Sequence, residues 1–189
     1  TVFKDIKVDN LIIPYNMDLK PYRSLLELAG KQNTATRACK AGDIITLDNN
    51  TSIKILSPIE GIKINKSPEN NGAIVFKLNY KEVSILFTGD IEKEAEKVLL
   101  EYNADLNADI LKVSHHGSDT STTEEFLKAT DPKIAVISVG KNNSFGHPAN
   151  SVLERLQNRN VKVLRTDIHG TILMRTNGTY IKVWKTLEN

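Results

Sequence analysis

Short apolar and β-branched runs alternate along this chain with segments of helical period. "NLIIPY" (10–15) predicts a strand that Pro14 stops, and "DLKPYRSLLELAGKQN" predicts a helix with Pro21 in its first turn and Gly30 as its stop. "DIITL" and "SIKIL" flank "DNNT" as a hairpin, and "AIVFKLNYKEVSILFTGD" (73–90) reads as a stronger hairpin around "NYKE". The intervening "GIKINKSPENNG" (61–72) reads as loop. Ile91, Ala95, Val98, Leu99 and Tyr102 then form one apolar stripe at helical spacing, with Glu and Lys between them. Strand 109–113 follows, and a helix capped at Ser121 or Thr122, with Glu124 and Glu125 at capping-box spacing. "KIAVISVG" (133–140) is a strand, and "PANSVLERLQNRN" a helix with Pro148 in its first turn. "VKVLRT", "GTILMRT" and "TYIKVWK" are closing strands, the last two joined at "NG". Leading hairpins followed by β-α-β alternation predict a single α/β layered domain with mixed sheets.

Composition narrows this little. The 189 residues suffice for one domain with a real core. A formal charge of +2, with its 25 basic residues scattered, argues neither for nor against a polyanion partner. The one cysteine, Cys39, excludes an internal disulfide and a cysteine-rich zinc motif, and reads as a small apolar residue. No apolar run approaches the ~20 residues of a membrane-spanning helix. The chain opens at Thr1 rather than Met and is expected to be cut from something longer.

Chemistry concentrates in four words, each after a predicted strand: "FTGD" (87–90), "SHHGS" (114–118), "NNSFGHP" (142–148) and "TDIHG" (166–170). In layered α/β folds such positions carry functional groups, because the sheet fixes them while the loop exposes them. Asp90 also suits a helix N-cap. The pair His115 and His116 stands where alternation along a strand sends one ring into a site and leaves the other beside it. His147 is a poor N-cap, and the start of the following helix disfavours its protonated form. His169 reads as a turn residue beside an Asx-type turn at Asp167, and Asn70 and Asn71 read as turn formers. One carboxylate with two or three imidazoles suits Zn²⁺ or Mn²⁺.

The words "LFTGDIEKEAEKVLL", "ADILKVSHHGSDTST", "PKIAVISVGKNNSFGHPANSVLERL" and "VKVLRTDIHGTILM" together resemble the metallo-β-lactamase-like domain of ComEC-type DNA-internalisation competence proteins. The likeness runs from about Asn10 onward and is densest from Phe87 to Met174. It implies an αββα sandwich, incomplete at its N-terminus, so that residues 1–189 form the C-terminal portion of one such domain. It implies a metal-dependent hydrolase, acting on DNA or another phosphodiester, with two ions about 3.5–4 Å apart in a complete site. Asp90, His116 and His147 match metal-binding positions and His115 and His116 catalytic ones, without dividing metal binding from acid catalysis among the three histidines.

The family's His-x-His-x-Asp-His motif is absent, since the first histidine is His115. At most one ion is therefore expected here, with this fragment inactive alone and any membrane association carried by other parts of a parent protein. Exposed sheet edges favour a homodimer. The alternatives are a non-catalytic binding or structural module, or a hydrolase of a small phosphodiester or lactone.

Overall fold

The computed structural model describes residues 2–15 and 22–187. The chain begins with a short helix α1 (Val2–Asp5), strand β1 (Asn10–Pro14), helix α2 (Arg23–Lys31) and strand β2 (Ala35–Cys39). The parallel pair β1–β2 stands apart as a two-stranded sheet. The expected first turn of α2, with Pro21 in it, lies outside the described residues. Gly30 does not stop this helix but sits within it, and Gln32 caps it instead.

Seven strands make the central sheet: β3 (Ile44–Asp48), β4 (Thr51–Ser57), β5 (Val75–Tyr80), β6 (Val83–Phe87), β7 (Ile110–Lys112), β8 (Ile134–Ile137) and β9 (Lys162–Arg165). They lie side by side in chain order. Pairing is antiparallel from β3 to β6 and parallel from β6 to β9. The change of sense follows the connections. Two-residue turns join β3 to β4 and β5 to β6, a longer segment joins β4 to β5, and the parallel strands need helical crossovers. Those crossovers hold α4 (Lys93–Glu101), α5 (Glu124–Thr130) and α6 (Asn150–Asn158), with a one-turn helix α3 (Pro68–Asn71) before β5.

The apolar stripe read from the sequence packs inward. Ile91, Ala95 and Leu99 meet Phe126, Leu127, Val152 and Leu156 over the sheet residues Leu86, Leu111 and Ala135 in one core. On the other face, register aligns Ile55, Phe76, Phe87, Lys112 and Val136 in one row. Phe76 and Phe87 stack there at 4.7 Å. This mixed sheet with flanking helices is consistent with a metallo-β-lactamase-like fold.

Several boundaries differ from expectation. Thr123, not Ser121 or Thr122, caps α5, its hydroxyl accepting from the Phe126 N–H. Pro148 precedes α6, whose N-cap is Ala149. The 61–72 loop contains α3, and 166–170 forms a helical turn α7 (Thr166–His169) in place of an Asx turn. Asp167 instead holds Arg165 through both carboxylate oxygens, at 3.1 and 2.6 Å. The closing strands β10 (Ile172–Thr176) and β11 (Ile181–Lys185) pair antiparallel, with Asn177 and Gly178 inside a four-residue connection.

Candidate functional site

Three of the four polar words meet at one edge of the sheet, where β6, β7 and β8 end. After β6 the chain turns at Gly89, and Asp90 follows. Asp90 is not an N-cap: Glu92 holds that position for α4. After β7 the backbone makes a tight turn (Ser114–Gly117), and the His115 N–H donates to the Gly89 carbonyl at 3.1 Å. This bond ties the loop after β7 to the loop after β6.

Strand alternation therefore does not govern the two histidines. Both adopt left-handed backbone, with φ of 48° at His115 and 56° at His116. Both rings turn toward the site, their centroids 6.4 Å apart. The His116 Nδ1 lies 2.6 Å from the Ser138 carbonyl, which only accepts, so Nδ1 carries the proton. Its other nitrogen, Nε2, stands 3.7 Å from an Asp90 carboxylate oxygen. The His115 Nδ1 is buried without a hydrogen-bond partner and faces Glu92 Oε1 at 3.9 Å. Glu92 is itself buried and braced. Its Oε1 accepts from Asn70 Nδ2 at 2.9 Å, and its N–H donates to Asn71 Oδ1 at 2.8 Å. Asn70 and Asn71 thus act as supports for a buried carboxylate.

His147 arrives from the loop after β8. Asn143 clamps that loop: its Oδ1 accepts from the His147 N–H at 2.9 Å, and its Nδ2 donates to the carbonyls of His147 and Gly140. The His147 ring stands 5.8 Å from His115 on one side and 5.8 Å from Phe145 on the other. Phe145, His147, His115 and His116 form one row of rings ending at Asp90. Burial, and after it the neighbouring His115 and His116, hold His147 below the ordinary imidazole range, with Asp119 opposing. The helix start invoked from sequence is not the leading cause.

The fourth word contributes differently. The His169 ring bonds the backbone of Arg165 at 3.0 Å and serves its own turn. Thr166 instead reaches toward the site region, exchanging hydrogen bonds of 2.8 Å with both backbone groups of Val139.

Lys112, Glu92, Asn143, Phe145 and Ser138 were not singled out by sequence. Burial in the row with Phe87 and Val136 lowers the Lys112 ammonium, while the Asp90 charge opposes this, and its Nζ donates to the Val113 carbonyl at 2.9 Å. A lysine breaking the apolar run "ILKV" directly before the histidines was the available signal.

Two ligands held about 2.0–2.2 Å from one ion sit roughly 3–3.5 Å apart. The Asp90–His116 separation of 3.7 Å is slightly longer than this, and the His116 tautomer leaves Nε2 free to ligate an ion drawn between the two. Among the described residues no three His, Cys, Asp or Glu side chains gather into a metal cage. The donor set fits part of a centre, not a whole one.

Residues 67–141 match the metallo-beta-lactamase superfamily. The chain is 38% identical over 175 residues to ComE operon protein 3 of Bacillus subtilis (strain 168), covering 92% of this chain and 22% of that protein. Competence protein ComA of Neisseria gonorrhoeae is 35% identical over 109 residues, 57% of this chain and 16% of that protein. Recombination protein 2 of Haemophilus influenzae is 35% identical over 104 residues, 55% of this chain and 13% of that protein. The chain spans less than a quarter of the length of each of these relatives.

Proposed function

Taking the chain as a metallo-β-lactamase-like domain of the competence-protein type, we propose that it supplies part of a metal-dependent site for phosphodiester hydrolysis, acting on DNA in a protein of DNA uptake. The observation that carries this reading is the 3.7 Å approach of His116 Nε2 to Asp90, with Nδ1 pinned to a backbone carbonyl. That pinning leaves the Nε2 lone pair on the acid's side, as a metal-ligating imidazole requires. The similarity to proteins named for competence supports the substrate class.

Each residue has a task in this reading. Asp90 and His116 hold a divalent ion, zinc or manganese. When bound, that ion would supply charge neutralisation at the attacked phosphate. His115, with the buried Glu92 carboxylate 3.9 Å behind it, stands where it can give a proton to the leaving oxygen. His147 stays neutral near pH 7 and contacts substrate or ion without adding positive charge. The ligands completing the centre come from outside the described residues.

A second reading has an observation of its own. The described residues hold no three-donor cluster, which favours a non-catalytic module for this chain taken alone. A second copy could pair along β3, the outer strand of the sheet, where Ile44 and Leu47 are exposed.

Elemental analysis after dialysis against Mn²⁺ or Zn²⁺ tests the first reading, with Asp90→Ala and His116→Ala alongside. About one ion per chain, lost in both variants, is the expected result for a single shared site. A native chain that retains no metal overturns the assignment of this pair as ligands.

A further inference from the structure

We propose that the pocket beside the histidines seats a nucleobase, with Phe145 as its stacking platform, and so presents the adjoining phosphodiester of a single DNA strand to Asp90 and His116. This deepens the hydrolase reading and rests on it for the identity of the strand.

Phe145 is 79% exposed, more than any other large hydrophobic side chain among the described residues. It is not loosely placed. One side of its ring lies nearly parallel to His147, at 5.8 Å and 18°. The loop beneath it is fixed by the three Asn143 hydrogen bonds. A flat apolar surface on a clamped loop, covered on one side only, suits a flat partner on the other. The adjoining pocket has a volume of about 300 Å³, with Val139, Gly140, Phe145 and His147 in its wall. That is the small end of the range for ligand pockets, about 300–1,000 Å³, and matches one base rather than a larger molecule.

Several polar groups of the lining are already engaged. His116 Nδ1 and the Ser138 carbonyl hold each other, the Thr166 hydroxyl serves Val139, and Asn143 serves its own loop. The pocket therefore recognises chiefly by stacking on Phe145 and apolar contact with Val139 and Gly140. Such binding tolerates every base, since each has a π-face. No carboxylate lines the pocket, so a polyanion meets no repulsion there. Because His116 belongs both to the pocket wall and to the pair with Asp90, a base seated here places its own phosphate at that pair.

The test is fluorescence anisotropy with the 189-residue chain and a chelator present, so that no cleavage intervenes. The probes are a labelled oligothymidylate and an abasic strand of equal length. The native chain is expected to prefer the oligothymidylate by about tenfold or more. Phe145→Ala should abolish the preference and Phe145→Trp should keep it. Gly140→Leu should weaken it too, since Gly140 lines the pocket and a side chain starting there meets no atom within 4 Å. Equal binding of the two strands by the native chain, or an undiminished preference in Phe145→Ala, overturns the proposal. Metal content and strand cleavage score the hydrolase reading separately. Base preference without metal leaves the seat standing, and metal binding without base preference removes the seat alone.

Discussion

Replacing Gly117 by alanine tests how the loops of the site are joined. Gly117 has φ of +84°, where an L side chain costs about 1–2 kcal/mol. The added Cβ would lie 2.6 Å from Pro148 Cβ and 3.1 Å from Pro148 Cα. Ordinary carbon contacts are about 3.5–4.0 Å, so Pro148 must retreat by roughly 1 Å. Ile137 stands 3.6 Å from the same point and limits any compensating shift of Gly117. Pro148 is buried, and the next residue donates its N–H to the Gly117 carbonyl at 2.9 Å while capping α6. Overpacking of this kind costs about 1–3 kcal/mol, which with the backbone strain gives about 2–5 kcal/mol in all. Urea unfolding followed by far-ultraviolet circular dichroism should show that loss as a lower midpoint at unchanged slope. The His147 ring resonances should move too, because His147 is bonded directly to Pro148. Gly140→Ala is the control, with no neighbour within 4 Å, and should stay within about 0.5 kcal/mol of native. A Gly117→Ala chain equally close to native would refute the claim that the loops after β7 and β8 are locked together here.

Two further outcomes follow from buried and clustered charge. The Glu96 side chain is buried and accepts from the N–H groups of Thr122 and Thr123 and from the Thr123 hydroxyl, so Glu96→Ala should cost about 2–4 kcal/mol by leaving those donors unpaired. Burial holds its carboxyl above the ordinary value of 4.5, against those bonds and the Arg155 charge, so its contribution to stability is full below that value and is lost as pH rises through the folded one. Glu96→Gln should flatten the stability curve in that window, and a curve identical to native would remove the attribution. His147 should bind its proton only below the ordinary 6.5, seen in an imidazole nuclear magnetic resonance titration, and His115→Gln should raise it by removing a positive neighbour. Its contribution to stability is present above 6.5 and is lost as pH falls through the folded value. Titration of His147 at or above 6.5 in the native chain would contradict this.

The parts of the fold that were legible in the sequence were those with strong period. The β5–β6 hairpin and the α4 stripe stand where alternation and helical spacing put them, because one face of each had to be buried. What was not legible depended on contacts between distant segments. Thr123 caps α5 in place of Ser121 or Thr122 because Glu96, far back in the chain, binds the backbone there. Gly30 fails to end α2 because nothing at that point requires a positive φ. The histidine pair was visible as a word, yet its geometry was not. Both rings face the site only because His115 and His116 take up left-handed backbone after β7 has ended, which no strand rule anticipates. Asn70 and Asn71 looked like turn formers because their partner, Glu92, is about twenty residues away in a helix cap.

The order of the seven strands has a consequence for how the molecule comes into being. Every strand of the sheet pairs with its predecessor in the chain. A sheet with that wiring can grow from one end as the polypeptide leaves the ribosome, each new strand finding its edge already formed. The candidate site sits past the middle of that sequence, with groups drawn from the ends of β6, β7 and β8. Asp90 and His116 come together at the ends of β6 and β7, but the row of rings is complete only once His147 has been synthesised and the β8 loop has docked on Gly117. A nascent chain therefore assembles the site in stages, strand by strand, and completes it late.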